Sequence, residues 1–561
     1  MLRLFYSFVI LICIAPIIPG VLGVVLSALS YIPSLGLSEV SLKGFADVFA
    51  WSGVTRSLYL TVFTSLTSSY LACFITFAVL QTTWNTRAWK WVTSSLAPLL
   101  AVPHIAFAIG FAFLFSPTGL AARILSPILG NSDFSYLVND QNGIGLALAL
   151  ALKELPFLLL MSIPITQQLK LEESYKVATS LGYSQAQFWW KCVLPQWLTK
   201  IRFSLLAIIA YSASVVDMSL ILGPTNPPTF AVLVWQWFSD PDLSLFPRAA
   251  AGAVILFIVC TVLILLTKWL EHLIVRKRRT WQISGRAGFQ LRGMTLFLVV
   301  VLINILILPI TLLWSVAQRW RFPDLLPSQF SHRFWQQEWD SVIATINTSL
   351  FIALVSASLA LVFALIAHEY KKRYRLRIPN LIIATPMLVP QLSLLFGLQV
   401  STLYINVSMP LFWVVWSHIF FAFPYVYLAL DGPWRSYNDG YSQTALSLGK
   451  TPWQVWFKVK MPILFPAISF AWAVGAGVSL AQYLPTLMLG SGRVITITTE
   501  AVALSSGSDR RVMAIYALWQ AILPLLFFTC AFVLNRLQRK GLTPIRKRIF
   551  NEPLSKKPHH L

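Results

Sequence analysis

The chain is short of charge, and what charge it has is lopsided. Of its 561 residues only 11% are charged, with 20 Asp and Glu against 43 Lys and Arg. Soluble domains carry about 25% charged residues. That scarcity excludes an ordinary soluble globule. Cysteine is also scarce: Cys13, Cys73, Cys192, Cys260 and Cys530 fall at no metal-ligand spacing and four of them lie in apolar runs, so neither a disulfide framework nor a metal site is expected. No HExxH, GxSxG or paired-carboxylate arrangement occurs, so no catalytic residues are expected. Gly449-Lys450-Thr451 imitates the end of a phosphate loop, but the required earlier glycine is replaced by Thr444 and no buried strand precedes it. The chain is expected to bind no cofactor and to hydrolyse no ATP.

What is abundant is apolar. Hydrophobic residues make up 57% of the chain, with 22 Trp and 38 Phe, and the mean hydropathy is +0.70. A membrane-spanning helix needs about 20 such residues. Twelve spans are expected, at 4–30, 55–80, 92–115, 143–165, 201–222 and 248–270, then 292–317, 343–368, 379–404, 408–430, 465–489 and 513–535. The fold class is therefore all-α and membrane-embedded, and residues 1–30 are expected to stay as a first helix rather than to be cleaved. The net charge of +23 is explained by loops rather than by nucleic-acid binding, because the basic residues sit between apolar spans. With the first residues inside, 32 Lys and Arg fall in cytoplasmic segments and 10 outside. The excess of positive charge inside predicts both termini in the cytoplasm. The cluster Arg276-Lys277-Arg278-Arg279 is expected as a cytoplasmic anchor contacting anionic lipid.

The chain repeats itself. Residues 175–195, YKVATSLGYSQAQFWWKCVLP, align with 442–462, SQTALSLGKTPWQVWFKVKMP, at an offset of 267 with eight identities in 21 positions. The identities include Ala178/Ala445, Gly182/Gly449, Trp189/Trp456 and Pro195/Pro462. Gly223 and Gly490 keep the offset, Pro156 and Pro424 nearly so, and upstream it drifts to roughly 290. Two parallel halves follow, 1–275 with a core at about 53–270 and 292–561 with a core at about 341–535, joined by a basic linker at 276–291. Each half is an odd first helix plus five more.

The repeated loop has a legible design. A short amphipathic helix is expected to end at Gly182 or Gly449, where glycine can take the left-handed conformation. A second helix starts with Ser184-x-x-Gln187 or Thr451-x-x-Gln454, each a capping box. It carries Phe188, Trp189 and Trp190, or Val455, Trp456 and Phe457, and is expected to stop at Pro195 or Pro462. Such a bracket, an aromatic plug with a basic rim, suits docking into a groove on a soluble partner. The bland alternative is an interfacial helix lying on lipid.

These two segments resemble the EAA loop of binding-protein-dependent ABC importer permeases, roughly E-A-A-x-x-x-G followed at a fixed gap by L-P. Gly182 with Leu194-Pro195 and Gly449 with Met461-Pro462 keep that spacing, and the resemblance covers both five-helix cores. It implies a type I importer permease fold and two ABC ATPase subunits as partners, which use the ATP. It also implies a bacterial inner membrane as the location and a periplasmic solute-binding protein as a partner. Ala178, Gly182, Phe188, Trp189, Pro195, Ala445, Gly449, Val455, Trp456 and Pro462 would then couple to the ATPases. The pattern's first Glu falls at Lys176 and Gln443, with Glu172 and Glu173 one turn earlier in the first copy. Both halves in one chain is similar to the ferric-iron and thiamine permeases, which implies a thiamine-like cation or ferric iron as solute. A twelve-helix secondary transporter is the rival, but 81–91 lacks that family's conserved loop after its second span.

Polar residues inside spans are candidates for the translocation path. They are Lys153 and Glu154, Asp217, His418, and the pair Gln482-Tyr483. Neighbouring residues on a helix point about 100° apart, so Lys153 and Glu154 either edge the path or brace the bundle. His418 is either path-lining or a satisfied interior histidine. Pro156 and Pro424 are expected to kink their helices. The segments Thr229–Phe238 and Thr496–Leu504, on the outer side, are either scoops against a binding protein or packed loops.

Overall fold

The computed structural model describes residues 2–129, 137–277, 288–374, 380–383, 385–405, 409–507 and 509–550. Most of the basic linker, 278–287, and the end of the chain lie outside them. The protein is a helical bundle whose one small sheet pairs Ala317–Arg319 antiparallel with Gln329–Phe330.

Among the described residues eleven helical stretches are long and apolar enough to cross a membrane: Leu2–Ala28, Val54–Thr83, His104–Ser126, Ile144–Gln168, Gln185–Ser214, Leu243–Val275, Gly293–Val316, Arg333–Arg373, Pro410–Ser436, Pro452–Leu480 and Arg510–Gln538. The twelfth expected span, 379–404, is in pieces: Asn380–Ile383, Thr385–Leu388 and the 13-residue Gln391–Leu403. The expected span at 92–115 is also broken, between Arg87–Ala101 and His104–Phe115. Both breaks fall at Val-Pro, Val102-Pro103 and Val389-Pro390. Proline offers no N–H and its ring crowds the carbonyl four residues back, so each helix restarts after it.

Two expected spans are longer and end earlier than the hydropathy suggests. Gln185–Ser214 and Pro452–Leu480 begin inside the repeated loops. Separate short helices then follow, Asp217–Leu222 and Leu484–Leu489. Pro156 and Pro424 do not end their helices, which run on as Ile144–Gln168 and Pro410–Ser436. The segments expected as scoops or packed loops are helices, Phe230–Phe238 and Ile497–Ser505. Their inner faces are buried against Phe246–His272 and the last helix, so packing, not a free scoop, describes them. Each is held at its first residue by a hydroxyl from a long helix, Thr61 to the N–H of Phe230 at 2.8 Å and Ser349 to that of Ile497 at 2.9 Å.

The first helix of each expected half packs on the other half. Ile17–Ala28 lies along Gln391–Leu403 and Phe246–His272, while Gly293–Val316 lies along Val54–Thr83, His104–Phe115 and the helix that starts at Arg510. Glycine sets the first crossing. A methyl group on Gly397 would sit 1.7 Å from the carbonyl oxygen of Gly20, and one on Gly23 would sit 2.5 Å from that of Gly397. Backbones approach this closely in membranes because small residues let dispersion contacts replace a missing hydrophobic drive.

Gly397→Ala is therefore expected to cost more than the about 1–3 kcal/mol of ordinary overpacking, because backbone rather than a flexible side chain is in the way. Thermal unfolding of the detergent-purified chain checks this, with Gly432→Ala, where an added methyl meets nothing within 4 Å, as the unchanged control.

Candidate functional sites

Two brackets stand at one end of the bundle. In the first, Leu171–Ser180 ends in the left-handed Gly182, φ +77°. The N–H of Tyr183 reaches back to the Ala178 carbonyl at 3.0 Å and that of Gly182 to Thr179 at 2.9 Å. In the second, Gly440–Ser447 ends in Gly449, also φ +77°, with Lys450 reaching Ala445 at 3.2 Å and Gly449 reaching Leu446 at 3.0 Å. These are matching Schellman ends. Both capping boxes form, Ser184 with Gln187 and Thr451 with Gln454.

The second bracket helix does not stop at its proline. A π-turn, Trp189–Val193 or Trp456–Lys460, leads straight into the span carrying Pro195 or Pro462. Widening the turn relieves the crowding a proline causes and needs no N–H from it. The bracket is thereby welded to a membrane helix, so a push on one moves the other.

Burial separates the two copies. Phe188 and Trp189, expected as the plug of the first bracket, are enclosed by their own chain. Trp189 stands edge-on to Phe77 at 5.9 Å and Trp84 at 6.1 Å, and Phe188 lies 5.3 Å from Tyr175. They brace the bracket instead of presenting it, because three further aromatics gather around them. Its exposed apolar residues are Val177 and Leu181, and Ala178 and Pro195 are buried. The last residues of the linker also clamp it. The Trp190 indole donates to the Phe289 carbonyl at 2.8 Å, and Gln81 ties the same carbonyl and the N–H of Leu291 at 3.0 and 2.9 Å.

The second bracket is open. Val455 is buried and Trp456, Ala445 and Pro462 are half-buried. Trp453, 73% exposed, stacks at 5.9 Å on Phe457, 53% exposed, beside the exposed Leu446 and Leu448. Charge anchors it from behind: Lys460 pairs with Glu369 and sits 4.4 Å over the Trp434 ring, and Lys372 pairs with Asp439. The exposed aromatic pair of this copy is thus Trp453, one turn before Trp456, and Phe457, next to it.

A polar cluster occupies the middle of the bundle. Lys153 and Glu154 diverge, as their helical spacing requires. Lys153 is buried and donates to the carbonyls of Val102 and, at 3.3 Å, Leu99. Those carbonyls are left without helical donors by the break at Pro103, so Lys153 is a bracing residue. Glu154 turns instead to His104, Oε1 to Nε2 3.0 Å. The His104 ring lies 4.9 Å from Tyr211. Asp217, half-buried at the start of its short helix, lies within Coulombic reach of His104, Tyr211 and Tyr483. Tyr425, 37% exposed, is similarly near Glu154. Across the cluster Gln391 donates to Gln482 at 2.6 Å.

His418 does not belong to this cluster. It is 2% exposed, and its two nitrogens meet Ser479 and Thr486, each at 2.8 Å. The satisfied interior histidine is the one observed. The sequence did not single out His104, Tyr211, Tyr425 or Gln391. One signal was available: Val-Pro-His at 102–104 and Val-Pro-Gln at 389–391 repeat the helix break with a polar residue just after it. Among the described residues no three His, Cys, Asp or Glu side chains gather as a metal would need.

No protein-family model matches the chain. It is 32% identical over 529 residues to the inner membrane ABC transporter permease protein YnjC of Escherichia coli K12, covering 92% of each chain. It is 22% identical over 233 residues to the putrescine transport system permease protein PotI of the same organism, covering 38% of this chain and 82% of that one. A shorter match, 27% over 99 residues, reaches the molybdenum transport system permease protein ModB of Mycobacterium tuberculosis, covering 18% and 38%.

Trp189→Ala is expected to cost about 3–5 kcal/mol, as for other buried tryptophans. Trp453→Ala is expected to stay within about 0.5 kcal/mol, as for exposed positions. Melting of the two variants in the same detergent tests the assignment of brace and plug.

Proposed function

The chain belongs to the inner-membrane ABC transporter permeases, and from that premise we propose that it is a fused double permease importing a small organic cation. Two ATPase subunits drive it from the cytoplasm and a solute-binding protein delivers from outside. The observation that carries the cation is the central cluster. Glu154 and Asp217 bring two carboxylates, and Tyr211, Tyr425 and Tyr483 bring three ring faces suited to cation–π contact. The nearby lysine, Lys153, is turned away onto carbonyls. Gln391 and Gln482, bonded to each other beside Tyr483 in the chain, bring neutral polar groups, so an organic cation would have an uncharged way off the carboxylates. A thiamine-like or polyamine solute fits this chemistry better than ferric iron, which demands a tight set of hard ligands. The name of PotI, a putrescine permease, agrees with it, while that of ModB points to another solute.

Coupling follows from the brackets. We assign them to the cytoplasm, with the termini, on the strength of the inside excess of Lys and Arg. Each ATPase would grip one bracket, the first through Val177 and Leu181 and the second through Trp453 and Phe457. Because each bracket helix continues through its π-turn into a span, ATP-driven closure would rotate that span and open or close the path beside Asp217 and Tyr483. Gly182 and Gly449 set the angle between gripping helix and span.

Two measurements test this. Uptake into membrane vesicles holding the whole transporter is expected to accept thiamine or putrescine, to be blocked by excess of the preferred cation, and to fall at least tenfold in Glu154→Gln and Asp217→Asn. Uptake of molybdate instead, or full uptake by both variants, would sink the cation reading. Trp453→Asp with Phe457→Asp is expected to abolish ATP-dependent uptake while the chain still inserts. Gly449→Val should do likewise and Gly449→Asn should not, since asparagine tolerates the left-handed conformation and a β-branched residue does not. Undiminished uptake by the double aspartate variant would remove the second bracket from the coupling route.

A further inference from the structure

At the end of the bundle opposite the brackets lies a cavity of about 320 Å³, open on one side. Its lining includes Arg123, Arg510, Arg511, Trp314, Trp320 and Phe322. The position is fixed by chain direction. Gly293–Val316 starts beside the first bracket at Leu291 and Gln81. It then rises 24 residues, about 36 Å, to reach this cavity. His104–Phe115 ends here and the last helix begins here, at Arg510.

The cavity's charge is unbalanced. Arg123 is 2% exposed, yet its guanidinium meets only neutral acceptors, the carbonyls of Thr118 at 3.0 Å, Arg321 at 2.7 Å and Asp324. It lies 4.6 Å over the Trp320 ring. Arg510 donates to the Thr118 hydroxyl at 2.7 Å and stands 5.2 Å over Trp314. Among the described residues neither has a carboxylate at ion-pair distance, and Asp324 acts on Arg123 only from further away. Arg511 is the arginine that is paired, with Asp509 at 2.9 Å. A buried charge is normally paired. Here two guanidiniums share one cavity wall and stay unpaired, with room beside them for another group.

The rim indicates what that group is attached to. The turn between the two short strands carries Phe322, which lines the cavity, and then Leu325 and Leu326, all three exposed. Arginine and tryptophan at the centre with apolar residues around them is the composition of a protein-binding hot spot. A free anion would make no use of the apolar rim.

We propose that this cavity receives an acidic side chain of the solute-binding protein. The carboxylate bridges Arg510 and Arg123, its stem lies against the Trp314–Trp320 pair, whose rings pack on each other at 4.6 Å, and the 322–326 turn covers the surrounding surface. The assignment rests on the importer reading above, which turns this end outward. It gives docking a single charge-assisted anchor on a rigid wall, since Arg123 is already held by three carbonyls. It also links the docked protein to the first residues of the last helix.

The test is photocrosslinking of the full transporter in intact cells. Phe322→p-benzoylphenylalanine is the probe and Trp453→p-benzoylphenylalanine the control at the bracket end. The expected result is an adduct of position 322 with a protein of the solute-binding class, the crosslinked peptide carrying an Asp or Glu beside the joined residue. Its yield should fall at least tenfold in Arg510→Gln, be partly kept in Arg510→Lys, and be unchanged in Arg56→Gln. If position 322 captures only lipid, or if Arg510→Gln leaves the protein adduct at full yield, the site is overturned. Should the control at 453 still capture an ABC ATPase, the importer reading survives that failure. Capture of neither partner overturns both.

Discussion

A backbone inside a membrane has no water to turn to, so every helix that breaks there must be given partners by its neighbours. This chain breaks helices at membrane depth in several places, and its polar residues are arranged around those breaks. Lys153 takes the carbonyls orphaned before Pro103. Thr61 and Ser349 take the first N–H groups of two short helices. Serine and threonine hydroxyls elsewhere bond back to carbonyls one turn earlier in their own helices. A buried lysine that would be costly by itself is thus tied to a backbone that would be costly without it.

The breaks also create the site. A straight helix through 92–115 would carry His104 on wherever the helical phase left it. Restarting the helix at Pro103 puts His104 at a first turn, where it meets Glu154 from the helix that also supplies Lys153. Restarting at Pro390 does the same for Gln391 and Gln482. Asp217 and Tyr483 stand where two other spans stop short. The central cluster therefore draws His104, Asp217, Gln391, Gln482 and Tyr483 from helix ends, where side chains and backbone dipoles are freed together, while Glu154 and Tyr425 come from helix interiors.

Much of this was legible in the sequence, and the exceptions share a cause. The glycine ends and capping boxes of the brackets were readable to the residue, because they act locally and the chain states them twice, whereas the expected stops at Pro195 and Pro462 are bridged by π-turns. Local signals also located Glu154, Asp217, Gln482 and Tyr483. What failed were inferences that needed to know which neighbour a side chain would meet. Phe188 and Trp189 have the composition of an exposed plug, and only packing against Trp84, Phe77 and Tyr175 makes them a brace. His418 was open to both readings, and Ser479 and Thr486 closing on it decide for the satisfied interior one. Hydropathy overran the breaks at Pro103 and Pro390, since averaging over a window cannot see a two-residue interruption.

The duplicated design does not produce a symmetric machine. Identical glycines and capping boxes build two brackets of one shape, yet one is clamped by Phe289 and its aromatics are enclosed, while the other shows Trp453 and Phe457 to solvent. The carboxylates of the central cluster likewise come from one copy only, and the bonded pair Gln391 and Gln482 from the other. A fused chain can let its halves diverge in this way, because covalent linkage keeps their pairing fixed whatever surfaces they present. The apolar grip, the charged wall and the uncharged wall then become separate features that can change one at a time. The π-turns before Pro195 and Pro462, needed by both copies to join bracket to span, are where the two remain alike.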